Sequence, residues 1–265
     1  MSTCPDRRST RQRTLVAGSI AGIFVLTGAG NAAGAAMPLD RAAPAASSSA
    51  DAVSAPFALK FQDDFNGTEV NKKAWSVFNG PGNGRTGPKS KTNTFLRNGH
   101  LVLRARKING VWYGAGVSNA RAVVQTYGKY EMRVRFDAGK GIRTAGLIWP
   151  KDGWPPEVDF YEIDDTLRTI NRLTNHHKPG NKMIHASYKA DFTQWHIVGL
   201  EWTPGALRFT LDGVVKVTMT SNVPRQPMWF GQNVALKPDG KGPDSTTPAE
   251  VAVEMDWIKI YRYTG

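Results

Sequence analysis

The densest group of chemically capable side chains lies in Trp154-Pro155-Pro156-Glu157-Val158-Asp159-Phe160-Tyr161-Glu162, continued by Ile163-Asp164-Asp165. One reading is a helix start, with prolines in the first turn and acids near the positive end of the helix dipole. The flanking Ala145-Gly146-Leu147-Ile148-Trp149 run is strand-like and favours an extended reading instead. In a strand, Glu157 and Asp159 share a face, whereas Glu162 is out of phase unless one extra residue bulges at Phe160-Tyr161. With that bulge the glutamates become effective i and i+4 neighbours, about 13 Å apart at Cα from four steps of ~3.3 Å. Side chains leaning inward then leave roughly 5–6 Å between carboxyls, close to the ~5–5.5 Å of a pair that attacks and protonates an acetal centre with retention of configuration. Asp159, between them, can hydrogen-bond one carboxyl and hold the two pKa values apart.

Strands must position these groups, and strand patterns fill the chain from residue 57 onward. Tyr130, Met132, Val134 and Phe136 alternate with Glu131, Arg133 and Arg135. Leu207, Phe209 and Leu211 alternate with Arg208 and Thr210, and Asp212-Gly213 supplies a hairpin turn into Val214–Met219. Leu101–Arg106, Met183–Tyr188, Trp195–Trp202 and Val251–Tyr261 are further strands, the last changing phase near Trp257 as a bulge would cause. A dozen or so short strands with Gly/Pro punctuation predict an all-β jelly-roll sandwich of two antiparallel sheets.

Of the 265 residues, the first 56 read as lying outside this domain. Residues 1–36 are predicted to be a signal peptide: Arg7, Arg8, Arg11 and Arg13 precede an apolar stretch from Thr14 to Thr27, then small residues around Ala33-Gly34-Ala35-Ala36. The apolar run is shorter than the roughly 20 residues of a membrane span. Arg7-Arg8 begins a twin-arginine pattern that Ser9-Thr10-Arg11 continues poorly. Residues 37–56, rich in Ala, Ser and Pro, read as a solvated linker. The expected mature protein is extracellular, off the membrane, and monomeric. With 34 Lys+Arg against 22 Asp+Glu the formal charge is +12, but the charge is scattered rather than striped, so nucleic acid is not an expected partner. The single cysteine, Cys4, excludes a disulfide framework.

Glu-Val-Asp-Phe-Tyr-Glu resembles the E-x-D-x-x-E signature of glycoside hydrolase family 16 in its bulged, laminarinase-like form. Asp63-Asp64-Phe65-Asn66-Gly67-Thr68 is similar to that family's opening strand and turn, and Tyr127-Gly128-Lys129-Tyr130-Glu131-Met132-Arg133 to its YGxxExR strand. Trp195-His196, Glu201-Trp202-Thr203-Pro204, Leu211-Asp212-Gly213 and Met255-Asp256-Trp257-Ile258-Lys259-Ile260-Tyr261 resemble later segments, so the likeness covers nearly all of 57–265. It implies a glycan cleft across a concave sheet and double displacement, with Glu157 as nucleophile, Glu162 as general acid/base and Asp159 assisting Glu157. Two departures leave the particular glycan open. Leu147 stands where many members carry a sugar-stacking tryptophan, and no Asn-Asn-Glu segment is recognisable between Asn79 and Thr94.

Sugar sites need flat aromatic faces and planar polar groups. Trp154 is the leading stacking candidate, followed by Trp229, Trp149 and Trp112; the alternative for each is a core role. His176 resembles a family histidine near the cleft, and Gln232 with Asn233 fits a late cleft-side strand. The five histidines have no zinc-binding spacing, so no catalytic metal is expected and no cofactor is required. The family resemblance raises one metal candidate, a structural calcium with Asp256 as a ligand. The expected activity is endo-hydrolysis of a β-linked polysaccharide, with β-1,3- or mixed β-1,3/1,4-glucan foremost. The alternatives are a lectin-like binding module and a transglycosylase on the same residues. A binding module has no reason to keep three mutually repelling carboxylates on one short strand.

Overall fold

A computed structural model of the protein describes residues 56–82, 86–238 and 240–265. The expected signal peptide and nearly all of the expected linker lie outside these residues. The strands are β1 (Phe57–Asp63), β2 (Ser76–Val77), β3 (Thr94–Arg97), β4 (His100–Ile108), β5 (Val111–Tyr113), β6 (Ala115–Ser118), β7 (Gly128–Phe136) and β8 (Ile142–Pro150). They continue as β9 (Glu157–Ile163), β10 (Ile170–His177), β11 (Lys182–Lys189), β12 (His196–Thr203), β13 (Ala206–Leu211), β14 (Val214–Met219), β15 (Met228–Leu236) and β16 (Glu250–Tyr263).

They form two antiparallel sheets. One runs β14-β13-β12-β7-β16-β4-β3, with β1 added on β16 and β5 on β4; the other runs β11-β10-β9-β8-β15-β6-β2. Neighbours such as β7 and β16, or β8 and β15, are far apart in sequence, so the chain crosses repeatedly between the sheets. The result is the expected all-β sandwich.

Period-two patterning decides which side chains meet between the sheets. In β7, Tyr130, Met132, Val134 and Phe136 enter the core while Glu131, Arg133 and Arg135 face outward and are only partly buried. In β9, Val158, Phe160, Tyr161 and Ile163 are all core residues. Each such large side chain contributes roughly 1.5–3 kcal/mol by leaving water. Asp212 and Gly213, with φ of 51° and 79°, make the expected β13–β14 hairpin turn. The phase change in β16 falls between Met255 and Trp257.

Candidate active site

Strand β9 is third from one edge of the seven-stranded sheet, paired with β8 on one side and β10 on the other. Against β8, Asp159 is opposite Leu147 and Tyr161 is opposite Gly146; against β10, Asp159 is opposite Thr174 and Glu162 opposite Arg172. One extra residue is therefore accommodated at Phe160-Tyr161. Consecutive residues of a regular strand point to opposite faces, yet Phe160 and Tyr161 both enter the core, with ring centroids 5.6 Å apart and nearly perpendicular. The bulge restores Glu162 to the outer face shared by Glu157 and Asp159.

Two residues make room for the bulge. A Cβ on Gly146 would lie 2.2 Å from the Tyr161 ring, so only glycine fits opposite it. Buried Asn171, on β10, accepts the backbone N–H of Glu162 at 3.0 Å and donates to the carbonyl of Phe160 at 3.3 Å. It thereby partners backbone groups that the interrupted ladder leaves over.

Each acid has its own set of partners. The indole N–H of Trp154 donates to Glu157 Oε2 at 2.7 Å. Burial raises the Glu157 pKa, opposed by the Trp154 hydrogen bond and the His176 charge. Asp159 is 3% exposed, and burial with the neighbouring Glu157 and Glu162 charges raises its pKa well above the usual carboxylate range. His176 Nε2 is 3.1 Å from Asp159 Oδ2, and its Nδ1 is 2.7 Å from Asn181 Oδ1. Burial disfavours the imidazolium, but those two hydrogen bonds and the Asp159 and Glu157 charges outweigh it and raise the pKa to about 9. Polar atoms of Glu157, Asp159 and His176 all lie within 4.8 Å of one another, so protons are readily redistributed among the three. Glu162 is more open. It accepts from the Thr174 hydroxyl at 3.0 Å and has the Arg143 guanidinium at 3.5 Å.

The aromatic candidates divide. Trp149 and Trp229 are directly opposite on β8 and β15, with ring centroids 6.5 Å apart. Trp154 stacks on Trp149 at 6.0 Å and 14°, is 43% exposed, and has His176 on another side at 6.0 Å. These three tryptophans therefore form a continuous aromatic surface leading to Glu157. Leu147 faces the same side between Asp159 and Gly231. Trp112 does not join them: it lies on β5 in the other sheet, packs against the core, and has the Lys107 ammonium 5.9 Å from its ring.

Gln232 also departs from expectation. It alternates with the core residues Phe230 and Val234, opposite Gly146, and is 1% exposed, so its side chain turns inward; Asn233 takes the outer-face register beside Ala145. Asp256 is unsuited to calcium, which takes six to eight oxygen ligands. Its carboxylate pairs with the Arg133 guanidinium at 2.5 Å and has the His100 ring at 3.8 Å, so nitrogen groups occupy the positions where further oxygen ligands would be needed.

A two-sheet sandwich with a carboxylate trio and an aromatic surface on one outer face defines the structural class. The chain belongs to glycosyl hydrolases family 16, whose model matches residues 85–259. It is similar to the endo-1,3-1,4-beta-glycanase ExsH of Rhizobium meliloti (strain 1021), at 28% identity over 190 residues, covering 66% of this chain and 41% of the relative. The beta-glucanase of Paenibacillus polymyxa is 29% identical over 143 residues, covering 50% of this chain and 58% of the relative. The chain thus spans about half the length of these relatives. Among solved structures, the endo-beta-1,3-glucanase of Pyrococcus furiosus superposes with a TM-score of 0.71 at 25% identity, covering 78% of this chain and 95% of that one. The laminarinase of Rhodothermus marinus shares the fold, with a TM-score of 0.70 at 21% identity and coverage of 79% and 98%.

Proposed function

We propose that this protein is an exported, endo-acting, retaining glycoside hydrolase acting on β-1,3- or mixed β-1,3/1,4-glucan. The observation that carries the reading is the bulged strand, which turns Glu157, Asp159 and Glu162 to one face beside the tryptophan surface. Relatives named for endo-1,3-1,4-beta-glycanase and beta-glucanase activity support the substrate class.

In this mechanism a Glu157 carboxylate oxygen attacks the anomeric carbon as the glycosidic C–O bond breaks, and the Glu162 proton passes to the departing oxygen. Glu162, now ionised, takes a proton from water while that water attacks the same carbon and displaces Glu157. The Trp154 N–H holds the attacking carboxylate in place. The Trp154 hydrogen bond and the positive charge of His176 both favour the ionised form of Glu157. Trp149, Trp154 and Trp229 offer flat faces to the apolar sides of the sugars.

The reading is tested by reducing-end release from laminarin, lichenan and a β-1,4-glucan. Early appearance of mixed oligosaccharides from the first two is expected. Release from none of them would overturn it.

A further inference from the structure

The two ends of β9 meet different surroundings on the outer face. Around Glu157 the neighbours are Trp154 and His176; around Glu162 they are the Thr174 hydroxyl and cations. Arg143 is 3.5 Å from Glu162, and Arg172 is its register partner on β10. Arg172 also pairs with Asp164, which Lys237 meets at 3.1 Å from the other side. Lys89 lies near Arg143, with its ammonium nitrogen hidden from solvent and without a hydrogen-bond partner among the described residues. Arg143, Arg172 and Lys237 thus surround two carboxylates, Glu162 and Asp164, and Lys89 adds a fourth cation beside Arg143. The remaining nearby acids are already engaged: Asp165 binds the backbone and hydroxyl of Thr169 and the backbone of Ile170, and Asp244 pairs with Lys140.

We propose that this cationic arm recognises acidic substituents, carboxylate or sulfate, on the sugar units next to the cleaved bond, so that the preferred substrate is an anionic β-linked glucan rather than a neutral one. The inference rests on the hydrolase reading above and narrows its substrate class. Any oxygen protonated by Glu162 is within hydrogen-bond reach of that carboxyl, so Arg143, 3.5 Å from it, and Arg172, opposite it on β10, flank a substituent on an adjoining sugar, and Lys237 extends the same positive surface through Asp164. The excess of positive charge has a visible consequence. Burial, followed by repulsion from Arg172, Arg168 and Arg143, lowers the pKa of Lys237, and burial with Arg143 lowers that of Lys89 to about 8. An incoming anion would relieve that repulsion. Arginine is well suited to the task because its planar fork matches carboxylate and sulfate oxygens.

The experiment compares kcat/KM on laminarin and on lightly carboxymethylated or sulfated laminarin of the same length, at low salt. It uses the wild-type protein, Arg172→Gln/Lys237→Gln, and the control Lys60→Gln/Lys216→Gln, whose residues are exposed on strands of the other sheet. The ratio of acidic to neutral activity should fall about threefold to tenfold in the first variant, the modest size expected of partly exposed charges. It should stay at the wild-type value in the control. The two derivatives show whether carboxylate or sulfate is the better fit. Arg172→Gln alone, expected to give a smaller fall, serves if the double variant does not fold. An unchanged ratio in a folded variant, or an equal fall in the control, would overturn the inference while leaving the hydrolase reading intact. If no glucan is cleaved, equilibrium binding of the same polymers decides. Acid-selective binding lost in the first variant upholds the cationic arm while the hydrolase reading falls, and equal binding of neutral and acidic polymer overturns it.

Discussion

Asn171 and Glu162 are joined through the backbone: the Asn171 side-chain oxygen accepts the Glu162 N–H at 3.0 Å, from the neighbouring strand. The same amide donates to Phe160, so one buried side chain spans the bulge on which the site depends. Replacing it with leucine should leave two backbone groups without partners and cost about 2–5 kcal/mol. Because Asn171 acts through Glu162, kcat should fall more than KM rises. Asn171→Asp keeps the acceptor for Glu162 and should recover part of kcat. Equal kcat in the leucine and aspartate variants, with only melting temperature altered, would make Asn171 a purely structural residue.

Gly146 tests the bulge from the opposite side. Its alanine variant sets a methyl group against the Tyr161 ring, so the ring or the strand must move. Overpacking of this kind costs typically ~1–3 kcal/mol. Gly146→Ala should lower both melting temperature and kcat, and adding Tyr161→Leu should restore part of each. Failure of the second substitution to help would show that the crowding is not at Tyr161.

Trp154→Phe keeps a ring near Trp149 but removes the N–H held at 2.7 Å from Glu157. That hydrogen bond opposes the rise in Glu157 pKa, so its loss should move the acidic limb of the kcat/KM profile to higher pH. Trp154→Ala should show the same displacement together with a higher KM. An unmoved acidic limb in both variants would leave Trp154 with stacking alone.

His176 gives stability a pH dependence with a defined sign. Its pKa rises from 6.5 to about 9 on folding, so its contribution is fully present below pH 6.5 and is lost as pH climbs through 9. The raised pKa values of Asp159 and Glu157 act in the same direction but from the lower starting point of a carboxylate. Melting temperatures between pH 6 and pH 10 should fall more steeply for the wild-type protein than for His176→Gln. Parallel curves would show that His176 is not charged at neutral pH.

Much of this arrangement was legible in the sequence because strand parity is a strong constraint. Glu157 and Asp159 share parity, Glu162 does not, and two adjacent aromatics offer the place where parity can be reset. The same rule argues against Gln232 as a partner of Trp229: residues three apart on a regular strand face opposite ways, and Gln232 is buried beside Phe230 and Val234. Trp112 was placeable by a local signal of another kind: Asn109-Gly110, with φ of 51° and 81°, closes a two-residue hairpin that pairs β5 with β4 and so puts Trp112 in the sheet of β4. Asn171, by contrast, was hidden. Its inward position in β10 resembles that of any core residue, and its task is set by a strand that ends eight residues earlier. The cationic arm gathers residues 89, 143, 172 and 237, which only the fold brings together.

The central claim is that Glu157 attacks the sugar directly while Glu162 moves the proton, and the configuration of the first product tests it. Proton NMR of a fresh hydrolysate of a β-linked glucan should show the β-anomer ahead of mutarotation, because two successive inversions give net retention. An initial α-anomer would mean a single displacement by water between more widely separated carboxylates, and would contradict the account of the bulge and of Glu157 together.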